Sequence, residues 1–181
     1  MIVAIVQARV TSTRLPKKVF LRYNGVSVLE HIYSRLSQSK YLNKVIFAIP
    51  SNKKNMILRN YLKKKDIPFI VGPEINVLKR FYKVCKILNP KIIIRVTADC
   101  PLIDFKLMDN MIKKFLVKKK FDFLSNSITR TYPDGLDIEI FKKEVLIKTF
   151  KKVKKKFDKE HVTPYMIRNF KCLAYKNKID L

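Results

Sequence analysis

Arg9, Ser12, Arg14 and Lys18 place three fixed cations and a hydroxyl within one short polar segment, directly after the apolar run IVAIVQA. Those side chains suit a polyphosphate, because guanidinium groups and ammonium pair with phosphate oxygens through charge-assisted hydrogen bonds. A polar loop at the end of a buried parallel strand is also where open α/β sheets bind ligands. The segment therefore predicts a nucleotide-handling chain. A second candidate is RVTADCPLID, residues 95–104, again following an apolar run. Asp99 stands at its strand end, where a hard cation such as magnesium needs only one or two protein carboxylates alongside substrate phosphates. An ordinary loop or helix-cap role also accounts for such an aspartate.

Two later segments carry polar groups. In YPDGLDIEIF, residues 132–141, alternation of Leu136, Ile138 and Ile140 puts Asp137 and Glu139 on the opposite strand face, an exposed one on the simplest reading. In DKEHVTPY, residues 158–165, Glu160 and His161 open a helical stretch; a lone histidine there also reads as structural. Cys85, Cys100 and Cys172 have neither metal-ligand spacing nor an even-numbered disulfide pattern, which fits a reducing cytoplasm. Cys100 reads as a small buried filler with no histidine near it in sequence.

The elements that must position these residues alternate. Residues 2–8, 44–49, 68–71 and 91–96 are short, nearly continuous apolar strands of the kind covered on both faces. Helices lie between them. Ser27 and Glu30 have capping-box spacing before the stripe Val28, Leu29, Ile32 and Leu36, and Asn24–Gly25 supplies the preceding turn. Met56, Leu58 and Leu62 mark a second helix. Asn76 caps a third over Val77, Phe81, Val84, Cys85 and Leu88, and Asp104 a fourth over Leu107, Met111 and Phe115. The βαβαβαβα order predicts a doubly wound, mostly parallel, Rossmann-like sheet in an α/β chain. Beyond residue 122 the pattern changes to strands at 121–125 and 136–141 and helical stretches near 143–156 and 160–170, a segment placed to cover the mouth of the crevice.

With 181 residues, a single domain over 1–181 is expected. The longest apolar runs fall well short of the roughly 20 residues of a membrane helix, and the amino terminus enters a strand without a signal-like segment. A net charge of +26 raises the possibility of a nucleic-acid binder. The lysines, however, cluster in runs such as 63–65, 118–120 and 151–156 without interleaved aromatics, so they read as solvated helix faces rather than a strand-stacking surface. The expectation is no specific nucleic acid and no membrane, with a charge that favours anionic substrates.

In order, IVQARVTSTRLPKK, LEHIYSRL, VLKRFY, RVTADCPLID, YPDGLDIEIF and EHVTPY closely resemble the cytidylyltransferases of the spore coat polysaccharide biosynthesis type. More distant relatives of that family activate acylneuraminate and ketodeoxyoctonate sugars. The resemblance implies a three-layer α/β/α sandwich of glycosyltransferase-A-like nucleotidyltransferase type. It also implies transfer of a cytidylyl group from CTP to a sugar or sugar acid with release of pyrophosphate, in surface polysaccharide or glycan biosynthesis. Arg9, Ser12, Arg14 and Lys18 inherit phosphate contacts, Arg95 lines the nucleotide pocket, and Asp99 holds magnesium. Arg9, Arg14, Lys18 and Asp99 are the expected catalytic set, and a homodimer is compatible with it. Asp134, Asp137, Glu139, Glu160 and His161 are expected to meet the sugar. A hexose-1-phosphate nucleotidyltransferase would share the chemistry but carry a glycine-richer first loop. A noncatalytic nucleotide binder would keep the fold without turnover, and a basic nucleic-acid module would bind phosphates alone.

Departures from the family pattern carry expectations of their own. Thr11 and Lys17 stand where glycines are usual, which predicts a reshaped phosphate grip. Asn76 replaces an aspartate, a change compatible with capping. Relatives commonly continue beyond the position of Leu181 into a Val-Asp-Thr-Pro-type stretch with a second metal contact. A truncated chain is the expectation, ahead of Asp134, Asp137 or Glu139 as a substitute ligand.

Overall fold

The computed structural model describes residues 1–12 and 15–177. The amino-terminal apolar run is β1 (Ile2–Gln7), followed after a one-turn 3-10 helix by a hairpin of β2 (Arg22–Tyr23) and β3 (Val26–Ser27). Asn24 and Gly25 both have positive φ, 48° and 75°, the backbone that a two-residue hairpin turn requires. Then follow α1 (Val28–Ser37), β4 (Lys44–Pro50), α2 (Met56–Lys64), β5 (Phe69–Gly72), α3 (Val77–Leu88), β6 (Ile92–Thr97) and α4 (Phe105–Val117). The remainder comprises β7 (Phe123–Ser125), β8 (Glu139–Lys142), α5 (Lys143–Lys152), α6 (Lys156–His161), α7 (Pro164–Asn169) and β9 (Cys172–Ala174).

Apart from the β2–β3 hairpin, the strands form one sheet in the order β5-β4-β1-β6-β8-β7-β9. β5, β4, β1 and β6 run parallel; β8 is antiparallel to both its neighbours, and β7 and β9 pair in parallel. Strand alternation explains three layers. Ala4, Val6, Phe47, Ile94 and Ile140 point to the side covered by α1, α2 and α4, whereas Val3, Ile5, Ala48, Ile93 and Phe141 point to the side covered by α3, α5 and α7. Each fully buried aliphatic or phenyl side chain contributes about 1.5–3 kcal/mol, so both interfaces are needed to hold the central strands.

The expected caps form: Ser27 and Glu30 make a reciprocal capping box, Asn76 accepts from Lys79 N, and Asp104 accepts from Lys106 N. α2 buries Leu58 and Leu62 but leaves Met56 exposed. The lysine runs at 63–65, 118–120 and 151–152 are exposed, as solvated faces require. Among the described residues, no helix is long and apolar enough to cross a membrane.

Two expectations need correction. The strand expected at 136–141 begins only at Glu139, leaving Asp137 in the preceding loop. Glu139 does not share an exposed face with Asp137, because β8 is an internal strand covered on both sides and Glu139 is 7% exposed. The helical stretch expected at 143–156 also divides into α5 and α6, with a buried Val153 at the break.

Candidate active site

β1 hands the chain outward to β4 and β5, while β6 lies on its other flank. Strand order thus reverses between β1 and β6, and the crevice expected at such a switch point opens beyond their carboxyl ends. A cleft of about 320 Å³ lies there, lined by Arg9, Ser12 and Lys18 from the first loop and by Arg95, Asp99 and His161 from more distant segments. The fold therefore assembles six of the expected site residues from three parts of the sequence. Arg14 lies outside the described residues.

Lys18 begins the 3-10 turn Lys18–Phe20, and its Nζ lies 2.6 Å from Asp99 Oδ2. The turn is set by Lys17, whose φ of 57° is left-handed and whose N–H donates to Val10 O at 3.1 Å, closing the first loop at its base. A lysine thus occupies the backbone state that glycine adopts without steric cost. Burial pushes the Asp99 carboxyl up, but the Lys18 ammonium and Thr97 hydroxyl outweigh it and hold the group below its ordinary value.

Asp99 satisfies the donor chemistry of a magnesium site. It is an ionised carboxylate 44% exposed at the cleft, and its second oxygen, Oδ1, accepts from the Cys100 thiol at 3.9 Å. Among the described residues no group of three His, Cys, Asp or Glu side chains could hold a metal. That is compatible with a cation that takes one or two carboxylates and completes its shell with phosphate oxygens and water.

Deeper in the cleft, Arg95 pairs with Glu139 across the β6–β8 register. Arg95 Nε also donates to Gln7 Oε1 at 3.0 Å, and Glu139 Oε1 accepts from the Thr163 hydroxyl at 2.7 Å. This polar line crosses the sheet beneath the cleft and fixes Arg95 rather than leaving Glu139 open to a ligand. Thr163 is held by a tight turn: its N–H donates to His161 O at 2.8 Å around Val162, whose φ is 69°. Positive φ at a β-branched residue costs on the order of 1–3 kcal/mol. The fully buried Val162 side chain and its N–H donated to Asp158 O hold it there. His161, on one side of the turn, lines the cleft with its ring centroid 4.4 Å from that of Phe157.

A smaller recess of about 100 Å³ continues from the cleft, sharing Gln7, Arg9 and His161 and adding Arg80 and Glu160. Glu160 pairs with Arg9 at 3.5 Å, so both candidates from the EHVTPY segment line the recess beside Arg9. Arg80 is a residue that the sequence reading missed. It is 1% exposed, its Nε has no partner among the described residues, and one terminal nitrogen donates to Pro73 O and Glu74 O at 3.4 Å. Burial, reinforced by Arg9 and opposed by Glu74, lowers its pKa to about 10. The available signal was a cation three residues after Val77 and four before Val84, on the apolar stripe of α3. Gly72 permits its packing, since a Cβ there would lie 2.9 Å from Arg80 Cγ.

Asp134 and Asp137 both pair with Arg130 in the loop before β8, with side chains 90% and 36% exposed. They do not line the cleft. All three thiols are free, and burial pushes Cys85 up to about 12 and raises Cys100 and Cys172, so each is protonated at neutral pH. None is a poised nucleophile.

The chain is 35% identical over 168 residues to an uncharacterized protein of Methanocaldococcus jannaschii, covering 93% of this chain and 68% of that one. It is 32% identical over 179 residues to the spore coat polysaccharide biosynthesis protein SpsF of Bacillus subtilis, covering 95% and 72%. A solved cytidylyltransferase from Leptospira borgpetersenii superposes with a TM-score of 0.93 at 33% identity, covering 99% and 77%. The cytidylyltransferase family model matches residues 3–180, and with that match, the sandwich and the cleft at its switch point, the chain belongs to the cytidylyltransferase family of nucleotidyltransferases.

Proposed function

We propose that this chain transfers a cytidylyl group from CTP to a sugar or sugar acid and releases pyrophosphate, in the assembly of a surface polysaccharide. The observation that carries this reading is the Lys18–Asp99 pair at 2.6 Å, flanked in one cleft by Arg9, Ser12 and Arg95. It joins a phosphate-neutralising cation to the carboxylate of a site that fits magnesium. A triphosphate in the cleft gives Lys18 and Arg9 anionic partners in place of Asp99 and Glu160. Arg14 completes the cationic set from the same loop. Arg80, which lines the recess, is the proposed contact for a carbonyl of the pyrimidine.

In the transfer, an acceptor hydroxyl attacks the α-phosphorus in line as the bond to pyrophosphate breaks. Arg9 and Lys18 offset charge on the phosphates, a contribution that grows where water is excluded. Asp99 would hold a magnesium ion, which would supply further charge neutralisation at the reacting phosphate. Asp134 and Asp137 are the proposed acceptor contacts, on the loop leading to β8.

Calorimetric titration in magnesium with CTP, UTP, ATP and GTP tests the nucleotide assignment, and pyrophosphate release with a panel of sugars and sugar acids tests the transfer. CTP should bind most tightly and release pyrophosphate only with a matching acceptor. Equal affinity for all four nucleotides, lost steeply with added salt, would reduce the site to generic phosphate binding.

A further inference from the structure

A closed circuit of hydrogen bonds begins and ends on adjacent residues of the first loop. Val10 N donates to Asn55 Oδ1 at 2.9 Å, and Asn55 Nδ2 donates to Asn52 Oδ1 at 2.7 Å. Asn52 Nδ2 donates to Glu74 Oε2, and the Thr11 hydroxyl returns to Glu74 Oε1 at 2.5 Å. Asn55 is fully buried. The side-chain donors from Asn55, Asn52 and Thr11 run toward Glu74, so an ionised carboxylate terminates the circuit from both ends and strengthens its bonds.

The circuit spans loops that meet only in the folded chain. Thr11 follows β1, Asn52 and Asn55 follow β4, and Glu74 follows β5. On its other side the Glu74 carbonyl accepts from Arg80, the buried cation of the recess. Ser12, which lines the cleft, is the next residue after Thr11.

We propose that Glu74 is a positioning residue for the nucleotide: through Thr11 and Asn52–Asn55 it sets the backbone leading to Ser12, and through its carbonyl it seats Arg80. This role rests on the cleft being a nucleotide site. Glu74 touches neither reacting atoms nor phosphates; its effect is to hold both halves of the site in one geometry before the ligand arrives, which lowers the ordering cost of binding.

The sign of a substitution separates this role from electrostatics. Removing a negative charge beside a phosphate site strengthens anion binding if charge alone matters. Loosening the loop weakens it. Thr11→Val, Thr11→Ser and Glu74→Gln are therefore compared with the native chain by calorimetry using inorganic tripolyphosphate with magnesium, by KM and kcat for CTP, and by thermal unfolding. Thr11→Val and Glu74→Gln should weaken tripolyphosphate and raise the KM for CTP by about five- to tenfold, the scale of one lost hydrogen bond, with kcat unchanged. Thr11→Ser should behave as native because it keeps the hydroxyl. Thr11 is only half-buried and outside both cores, so its variants report on the loop even if Glu74→Gln does not fold. Native tripolyphosphate affinity in Thr11→Val, or tighter binding in Glu74→Gln, overturns the proposal. A native chain that binds tripolyphosphate but releases no pyrophosphate from CTP overturns the transfer reading instead, and the tripolyphosphate comparison still decides the role of Glu74.

Discussion

Lys18 Nζ lies 2.6 Å from Asp99 Oδ2, joining the loop after β1 to the loop after β6 across the mouth of the cleft. Eighty-one residues separate the partners in sequence, yet parallel pairing of β1 with β6 makes their loops neighbours. Asp99→Asn keeps the shape and removes the charge. Pyrophosphate release in magnesium should fall by about 10²- to 10³-fold, the usual loss for one electrostatic contact to the transition state, while the folded chain still binds CTP. Because Lys18 and Thr97 outweigh burial and hold the Asp99 carboxyl below its ordinary 3.8, that group stays ionised down to acid pH. Its contribution is present above 3.8 and lost only as pH falls below it. An acid limb in the rate near pH 6 would therefore have to come from another group, and retention of full turnover in Asp99→Asn would remove Asp99 from the mechanism.

The Arg95–Glu139 pair makes a different demand. Side chains 12% and 9% exposed leave little water to compensate either charge. Glu139→Ala should destabilise the fold by about 3–5 kcal/mol, because it strands a buried guanidinium. Replacing both residues by apolar ones of similar volume, Arg95→Met with Glu139→Leu, should restore much of that loss in urea unfolding while weakening nucleotide binding. A double variant no more stable than Glu139→Ala would show that the pair does not act as a unit.

These two pairs also show what a sequence carries and what it does not. The parallel strands were legible because burial on both faces demands continuous apolar runs, and the caps at Ser27, Asn76 and Asp104 because their partners lie within three residues. Arg9, Ser12, Lys18, Arg95, Asp99 and His161 were legible as candidates, and the cleft gathers them. Glu139 was misread: alternation separates the two faces of a strand but says nothing of what covers them. Only the neighbouring Arg95 and Thr163 explain a buried carboxylate there. Arg80 escaped notice because one cation on an apolar stripe resembles any snorkelling side chain until Gly72 is seen beneath it. β9 is three partly buried residues following a helix, too short for a periodicity to emerge.

Lys17 offers a test of the first loop's backbone. Its φ of 57° lies in a region that costs a non-glycine residue about 1–2 kcal/mol, and glycine gives back part of that gain through its greater freedom in the unfolded chain. Lys17→Gly should therefore stabilise by about 0.5–1 kcal/mol, seen as a raised thermal midpoint, and should leave the Val10–Lys17 backbone bond intact. Destabilisation would mean that the loop is not closed by a left-handed residue.

Glu30 anchors α1 to α2 at a distance from the cleft, and its titration gives a prediction independent of the proposed activity. Its carboxylate accepts from Tyr61 Oη at 2.7 Å and Ser27 N at 3.0 Å, and pairs with Lys65 Nζ at 2.6 Å. Burial pushes the carboxyl up, but Lys65, Tyr61 and Ser27 together outweigh it and bring it to about 2 from 4.5. A folded value below the unfolded one means stability that is present above pH 4.5 and lost as pH falls toward 2. Lys65 is 37% exposed, so solvent screens much of this contribution, leaving about 1 kcal/mol or less. Urea unfolding of the native chain and Glu30→Gln, repeated from pH 7 to pH 3, should show a gap of that size at neutral pH that narrows steadily below pH 4.5. A gap that stays constant over the whole range would assign the effect of the substitution to lost packing or capping rather than to the ionised carboxylate.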